Sequence, residues 1–345
     1  MEMAAKERAA DIFLIAGRRV SFKRGDSLVP ISDESLTPEH SAVLIREIYD
    51  MANRRFPEEA GVWDDDFSLS VPGLARFRVN VFRQRGSLAA VIRIVQFGIP
   101  DWKELGLPEE IMKIAGRSRG LVLVTGPAGS GKSTTLACIV DNINRTRNAH
   151  IITIEDPIEY LHRNVNSIVS QRELNTDTES YVTALRASLR QAPDVILVGE
   201  MRDLDTIQTA MTAAETGHLV LSTLHTVGAV NTIDRIIDVF PPTQQQQIRV
   251  QLAQVLKTVV SQQLLPGTDG TLVPAFEIMH LNNAIRNLVR DSRIHQIDAA
   301  IQSGAAEGML SMDDCILRLV REKRITKETA MYYASNPEQL QRKLR

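Results

Sequence analysis

The sequence predicts an α/β protein built from two domains, and three observations lead to this prediction. The chain has 345 residues, which corresponds to about two domains of ordinary size. Short alternating segments before residue 100 give way to a repeated pattern of strand, loop and helix after it. In that second part, a glycine-rich loop of the type that cradles phosphates stands between an apolar strand and a helix.

Composition and charge argue against several classes of protein. Lys and Arg number 40 against 42 Asp and Glu, so the formal net charge of −2 does not favour nucleic acid or an anionic membrane as a main partner. The two cysteines, Cys138 and Cys315, cannot form a disulfide framework or a four-thiolate zinc site. No stretch approaches the roughly 20 apolar residues that cross a bilayer. We therefore expect a protein of the reducing cytosol that reaches a membrane only through partners.

The first domain is predicted to span residues 1–97 and to contain an antiparallel sheet. Its helix begins with Pro38 after the cap Thr37 and carries Leu44, Ile48 and Met51 at helical spacing. Strands are predicted at 11–16, 20–23, 67–71, 75–83 and 88–95, with turns at Arg24-Gly25-Asp26 and Pro72-Gly73.

An interdomain linker is predicted at residues 98–110, because glycines and prolines recur there, and the second domain is predicted to span 111–345. Short β-branched runs at 121–125, 151–154, 195–198 and 219–222 alternate with helical spacing, which predicts a largely parallel sheet with helices on both faces. Beyond about residue 243 the chain is predicted to be mostly helical. These helices are placed at 243–265, 284–291, 294–303, 312–323 and 327–335, with one strand at 271–279.

The strongest functional signal is the loop from Gly126 to Ser133, which fits the pattern G-x-x-x-x-G-K-[S/T]. Its glycines let backbone N–H groups turn toward a β-phosphate, and the helix start adds the positive end of its dipole. Lys132 is expected to reach the β- and γ-phosphates, and the Ser133 hydroxyl to ligate Mg²⁺. The predicted nucleotide-binding residues are Gly126, Pro127, Ala128, Gly129, Ser130, Gly131, Lys132, Ser133 and Thr134.

Carboxylates follow two of the predicted strands. Glu200 comes directly after the strand at 195–198, about 70 residues beyond the phosphate loop, and is predicted to serve the Mg²⁺ side of the site. Asp156 and Glu159 cluster after the strand at 151–154, because Pro157 forces a turn there. A solvent-facing or helix-capping acid is the alternative interpretation of Glu200.

Two histidines lie at the ends of another apolar strand. His218 precedes the strand at 219–222 and His225 follows it, so strand spacing can carry His225 to the phosphate edge of the sheet. Both are candidate catalytic residues, and a purely structural role is the alternative for each.

Taken together, these motifs resemble those of the secretion and type IV pilus motor ATPases. The resemblance is carried, in order, by the phosphate loop, IEDPIE at 154–159, VGEMRD at 198–203 and TGH and TLHT within 216–226. The segments 232–241 and 284–291 further resemble the pilus retraction ATPases of that family. The likeness covers about residues 60–335. It is looser before that, where Phe13 stands at a position at which the family tends to have histidine.

The resemblance implies a homohexamer in which each subunit has an N-terminal PAS-like domain and a C-terminal RecA-like ATPase domain. ATP and Mg²⁺ would bind between the domains, with Glu159 as general base or water-positioning residue, Glu200 at Mg²⁺ and Asp156 as a further metal candidate. The N-terminal domain would send arginines toward the triphosphate of a neighbouring subunit, although a solvated strand face also explains them. These candidates are Arg76, Arg78, Arg83, Arg85 and Arg93.

The implied function is an ATP-hydrolysing motor for pilus retraction at the cytoplasmic face of the inner, or only, membrane. Its partner would be an inner-membrane platform protein, and Arg286 and Arg290 are candidates for passing motion to it, unless acids of this chain neutralise them. Alternatives are an accessory retraction paralogue, a pilus-extension or secretion ATPase, a RecA-like nucleic-acid translocase, and a scaffold that binds nucleotide without hydrolysis. Few aromatic residues (5%) argue against stable nucleic-acid binding.

Overall fold

The computed structural model describes residues 1–7, 9–24, 27–57, 64–71, 73–95 and 98–344. The chain divides into two compact units: Met1–Gly98 with Glu159–Leu161, and Ile99–Ile158 with His162–Arg345. The predicted boundaries at residues 97, 98 and 110 stay predictions. Residue 97 and parts of two predicted turns, Gly25-Asp26 and Pro72, lie outside the described residues.

The first unit is built on an antiparallel sheet. Its strands are β1 (Asp11–Leu14), β2 (Arg19–Arg24), β3 (Ser27–Ser35), β4 (Asp65–Val71), β5 (Ala75–Gln84) and β6 (Ser87–Val95), in the order β3-β2-β1-β6-β5-β4. Its helices are α1 (Glu2–Lys6) and α2 (Pro38–Met51). The Thr37 hydroxyl accepts from the backbone N–H of His40 at 3.2 Å, so the predicted cap of α2 is confirmed. Along β5, Phe77, Val79 and Val81 are buried in the core that α2 covers.

The second unit contains a mostly parallel sheet with the order β13-β12-β7-β11-β10-β8-β9. Its strands are β7 (Gly120–Thr125), β8 (His150–Glu155), β9 (Ile168–Glu173), β10 (Val195–Val198), β11 (Leu219–Leu224), β12 (Leu256–Pro266) and β13 (Leu272–His280). Only β13 runs antiparallel to its neighbour among the described strands of this sheet. The carboxyl ends of β7, β11, β10 and β8 therefore meet at one edge.

Helices cover both faces of this sheet. They are α3 (Glu109–Met112), α4 (Lys132–Thr146), α5 (Tyr181–Ser188), α6 (Leu204–Glu215), α7 (Ala229–Asp238), α8 (Pro242–Val255), α9 (Asn283–Arg290), α10 (Ile297–Ser303), α11 (Met312–Arg321), α12 (Lys327–Tyr333) and α13 (Pro337–Lys343). Successive residues of β7 alternate between two cores: Leu121 and Leu123 pack with α6 to α9, whereas Val122 and Val124 pack with α3 and α4. A strand that is buried on both faces reads as a continuous apolar run, which is why the sequence located it. In the described part of the chain, no helix is both long and apolar enough to cross a membrane.

The sequence prediction was wrong at residues 243–265, which it assigned to one helix. The structure ends α8 at Val255 and continues as β12, beside β7. Most of β12 is buried on both of its faces, so its apolar residues do not alternate with polar ones. Without that alternation, periodicity does not separate a buried strand from a buried helix. The strands β3 and β9 and the helix α13 were not predicted.

The predicted linker packs against the second unit. Leu107 is buried in the core beneath α4, and Ile99, Trp102 and Leu105 are partly buried against the same core. Although this segment is rich in glycine and proline, it is packed against the second unit and is not an unpacked linker.

Candidate nucleotide-binding site

The phosphate loop joins the carboxyl end of β7 to the amino end of α4. Gly126, Gly129 and Gly131 all have positive φ, at 144°, 75° and 86°, which is the backbone region that glycine enters without steric cost. Gly131 immediately precedes the first residue of α4, Lys132, so the helix dipole points its positive end at the loop.

Gln262, on β12, supports this loop from behind. Its Oε1 accepts from the Thr135 hydroxyl at 2.7 Å, and both side chains are buried. A Cβ on Gly126 would come 2.1 Å from the Gln262 carbonyl oxygen, and a Cβ on Gly131 would come 2.9 Å from Gln262 Nε2. The close approach of the Gln262 backbone to this loop, the phosphate cradle, therefore leaves no room for a side chain at Gly126, and the positive φ of both positions favours glycine. The sequence prediction missed Gln262 because it placed this segment in a helix; an extended reading of residues 256–266 would have brought it beside the loop.

Two polar groups in the cradle are arranged to receive an anion. Ser130 is buried, and its hydroxyl oxygen is enclosed with no hydrogen-bond partner among the described residues. Lys132 is also buried, and its Nζ donates to the carbonyl oxygens of Gly126 and Pro127, each at 2.9 Å. An ammonium group held against the carbonyls of its own loop is positioned to turn toward a phosphate oxygen. These observations fit a nucleotide phosphate group.

Glu200 follows β10 and is held between two basic side chains. Its Oε2 lies 2.8 Å from Arg202 Nε and its Oε1 lies 3.2 Å from His225 Nε2. The carboxylate side chain is only 16% exposed, while that of His225 is 49% exposed. The hydrogen bond that Arg202 donates to Glu200 raises the pKa of the Arg202 guanidinium above its ordinary value. His225 comes from the end of β11, so the structure brings it to the phosphate edge as predicted. Arg202 was not predicted, although it lies within the VGEMRD segment.

The end of β8 adds further acids to the same edge. Glu155 Oε1 accepts from Thr153 Oγ1 at 2.6 Å and from Gln171 Nε2 at 3.2 Å. Burial, and then the charges of Asp156 and Glu200, raise the pKa of Tyr181 at the start of α5. Asp156 is therefore close enough to the Glu200 side of the site to act on the same groups.

His218 lies at the edge opposite the phosphate loop, and its selection as a catalytic candidate stays a prediction. It immediately precedes β11, and its carbonyl oxygen accepts from the N–H of Gly120 at the start of β7. The six residues of β11 separate it from the phosphate edge by about 20 Å. Its Nδ1 lies 2.9 Å from the Ala213 carbonyl oxygen, which ties the end of α6 to the sheet. A histidine at each end of one strand cannot reach the same edge.

The arginine candidates and Glu159 belong to the first unit. Arg78 forms a 2.6 Å ion pair with Asp66, and Arg93 forms a 3.0 Å ion pair with Asp11. Arg76 donates to Ser70 Oγ at 3.2 Å. Arg83 and Arg85, like Glu159, are exposed. Their catalytic roles stay predictions.

The two coupling candidates on α9 differ in their surroundings. Arg290 forms a 3.2 Å ion pair with Asp291, which agrees with the alternative that acids of this chain neutralise these arginines. Arg286 instead donates Nε to the Ala253 carbonyl oxygen at 3.1 Å and Nη1 to Asn283 Oδ1 at 3.0 Å.

Comparison with known proteins supplies relatives that span nearly the whole chain. The family model "Type II/IV secretion system protein" matches residues 1–340. The Pseudomonas aeruginosa "Type IV pilus retractation ATPase PilT" is 44% identical over 338 residues, covering 98% of each chain. The Neisseria gonorrhoeae "Twitching motility protein" is 50% identical over 276 residues, which are 80% of this chain and 74% of that one.

A solved structure agrees with these sequence matches. The crystal structure of the pilus retraction motor PilT with bound ADP has a TM-score of 0.89 and 44% identity, and covers 99% of this chain and 97% of that one. The predicted fold class, a mixed α/β domain followed by a RecA-like ATPase domain, is thereby confirmed.

Proposed function

This chain belongs to the type II/IV secretion system protein family, and we propose that it is a hexameric, ATP-hydrolysing motor that powers retraction of a type IV pilus. The observation that carries the proposal is the phosphate cradle closed from behind by Gln262, in a chain that is 44% identical to a pilus retraction ATPase over 98% of both lengths. Family and fold were expected from the sequence; the motor function is our inference from them.

In this proposal, the loop binds the triphosphate of ATP. The backbone N–H groups of 128–131 and the Ser130 hydroxyl surround the β-phosphate, and Lys132 leaves the carbonyls of Gly126 and Pro127 to pair with the γ-phosphate. Ser133 and Glu200 would hold Mg²⁺, with Asp156 as a third candidate, because hydroxyl and carboxylate oxygens are its preferred ligands. When bound, Mg²⁺ neutralises charge on the phosphates.

Glu159 is proposed as the general base or water-positioning residue, and His225 as the group that orients Glu200. The 3.2 Å contact from His225 Nε2 to Glu200 Oε1 fixes that carboxylate, which supports the second role. Arginines of the first unit, from among Arg76, Arg78, Arg83, Arg85 and Arg93, are proposed to complete the site of a neighbouring subunit. Arginine suits this role because its guanidinium stays protonated and can donate two parallel hydrogen bonds to two oxygens of one phosphate.

We further propose that the protein acts at the cytoplasmic face of the inner, or only, membrane, where a platform protein receives its motion. Arg286 and Arg290 are proposed to help to transmit that motion. Replacing both by alanine should leave hexamer assembly and the ATPase rate nearly unchanged, because neither arginine contacts the phosphate edge, while retraction fails in cells. A matching fall in ATPase rate and motility would show that the segment supports the fold or the site instead.

Two experiments test the proposed function. Purified Lys132→Ala should lose about a hundredfold or more in ATP turnover, since the γ-phosphate loses its cationic partner. Lys113→Ala, which removes an exposed lysine paired with Glu110, is the matched control and should hydrolyse normally. Residual Lys132→Ala turnover within about tenfold of wild type would overturn the assignment of the site. In the source cell, deletion of the gene should leave pili present and surface motility lost.

The alternatives predict different results. An extension ATPase would leave cells without pili on deletion, and an accessory paralogue would leave retraction largely intact. A nucleic-acid translocase would retain single-stranded DNA in a filter-binding assay, with ATP turnover stimulated by that DNA.

A further inference from the structure

A group of four cationic side chains, here called the basic cluster, lies at the sheet edge opposite the phosphate loop. It consists of Arg117, Arg119, Lys257 and Arg286. Arg117 and Arg119 lie in the three residues before β7, and Lys257 is the second residue of β12, which runs parallel to β7. The Lys257 side chain crosses Gly120 so closely that a Cβ there would lie 2.5 Å from Lys257 Cγ.

The other two members are held in place by hydrogen bonds. Arg286 is fixed to the end of α8, four residues before Lys257, by its 3.1 Å bond to the Ala253 carbonyl oxygen. Arg117 Nη2 lies 3.5 Å from His280 Nδ1 on β13. The cluster is thus assembled from the segment before β7, the α8–β12 junction and α9, and it forms only in the folded second unit.

The cluster has no ion-pair partner in the part of the chain that the structure describes. Among the described residues, none of the four side chains has a carboxylate within ion-pair distance, although surface arginines elsewhere, such as Arg290 and Arg145, are paired. Burial, followed by the charges of Arg286, Arg117 and Arg119, lowers the pKa of Lys257. Cations that approach one another without a counterion cost electrostatic energy, and an anion that binds there recovers it.

A cleft of about 320 Å³ opens beside the cluster. Its lining includes Arg119 and Lys257 together with Glu215 and Gln254. Glu215 accepts a 2.8 Å hydrogen bond from Gln251, so its carboxylate is directed to α8. The cleft has room for one or two extended carboxylate side chains, and none of its lining residues is aromatic.

We propose that the basic cluster binds an acidic segment of a partner protein, with two or more carboxylates seated between Arg119, Lys257 and Arg286. One arginine guanidinium can donate two parallel hydrogen bonds to a single carboxylate. The recessed cleft also favours protein side chains over a flat membrane surface. Nucleic acid is disfavoured because the cleft offers no ring on which a base stacks. In a pilus motor, this partner would be the component that receives the motion, and that identification alone rests on the proposed function.

A binding experiment tests the proposal independently of pilus biology. The probe is a fluorescein-labelled ten-residue peptide of alternating glutamate and glycine, followed by anisotropy with the full-length protein at about 50 mM and about 300 mM salt. Wild type should bind at low salt and lose affinity at high salt. Arg119→Gln with Lys257→Gln should weaken binding by about tenfold or more, whereas Lys257→Arg should retain it.

Controls separate the possible results. Arg321→Gln removes an exposed cation on α11 and should bind the peptide as wild type does. All of these variants should keep wild-type ATPase rates, because none of the replaced residues lies at the phosphate edge. If peptide binding does not follow the predicted pattern while ATPase activity is intact, this proposal is wrong and the proposed function still stands. Equal binding by the double variant, or no binding by wild type, would refute it. Tighter binding of single-stranded DNA or of phosphatidylglycerol vesicles than of the peptide would refute it as well.

Discussion

His162 is the residue at which the chain returns to the second unit, six residues before β9. We predict that this histidine lowers the free energy of unfolding of the second unit in mild acid. The side chain keeps an exposed edge, but its Nδ1 is fully enclosed and has no hydrogen-bond partner among the described residues. Burial lowers the pKa of this imidazole from 6.5 to about 4, against a smaller opposing effect from Asp141. The folded protein therefore holds the ring neutral at pH values where an unfolded chain protonates it.

The size of the effect follows from the gap between the two pKa values. Because the folded pKa is the lower one, the unfolded state binds more protons, and stability is lost as the pH falls from 6.5 toward 4. Between about pH 7.5 and about pH 5, this single group should remove about 2 kcal/mol from the free energy of unfolding of the second unit. Above about pH 7.5 its contribution is constant.

Urea unfolding at a series of pH values measures this loss. Replacing Trp63 by Phe leaves Trp102, which packs against the second unit's core, as the only tryptophan and makes its fluorescence a probe of that unit. In this background, the free energy of unfolding of wild type minus that of His162→Gln should fall by about 2 kcal/mol over the same pH range. His162→Phe should give the same slope, which guards against a packing defect of one variant.

Replacement of the exposed His295 by Gln is the control and should leave the pH profile unchanged. If the difference between wild type and both His162 variants stays flat from about pH 7.5 to about pH 5, His162 is solvated and the reasoning is wrong.

Two further predictions concern the nucleotide site. Gln262→Ala removes the acceptor of Thr135 and the support behind Gly131, so ADP affinity measured by calorimetry should fall by about tenfold. The control is Gln263→Ala, which should bind ADP normally because the Gln263 side chain points to the other face of β12. Equal ADP affinities of the two variants would contradict the role of Gln262 in the cradle. Glu159→Gln should keep ATP binding and slow hydrolysis by about a hundredfold in a steady-state assay, whereas Glu200→Gln should chiefly raise the Mg²⁺ concentration needed; the reverse pattern would exchange the two roles.

The sequence alone determined the phosphate loop, because its chemistry is local. The glycines, Lys132 and Ser133 lie within eight consecutive residues, and the strand before them and the helix after them are fixed by short-range pattern. The positions of β7, β8, β10 and β11 followed for the same reason, since each is a short β-branched run between turn residues. The family resemblance then suggested roles for the residues in the loops that follow these strands.

Tertiary structure decided which distant residues meet. Gln262 reaches Thr135 across 127 residues, and only the placement of β12 beside β7 brings them together. The same packing decided that residues 256–266 are extended, because a strand buried on both faces carries no alternation for the sequence to display.

Strand register decided the remaining assignments. Val198 pairs with Ser222, so the residues that follow β10 and β11 emerge side by side, and His225 meets Glu200 while His218 is left at the far edge. The basic cluster at that far edge is likewise invisible in sequence, because its four cations come from three separate segments of a chain whose net charge is −2. Local pattern fixes what each segment is, but long-range pairing fixes which charges face one another, since Coulomb energy depends on distance in space and not along the chain.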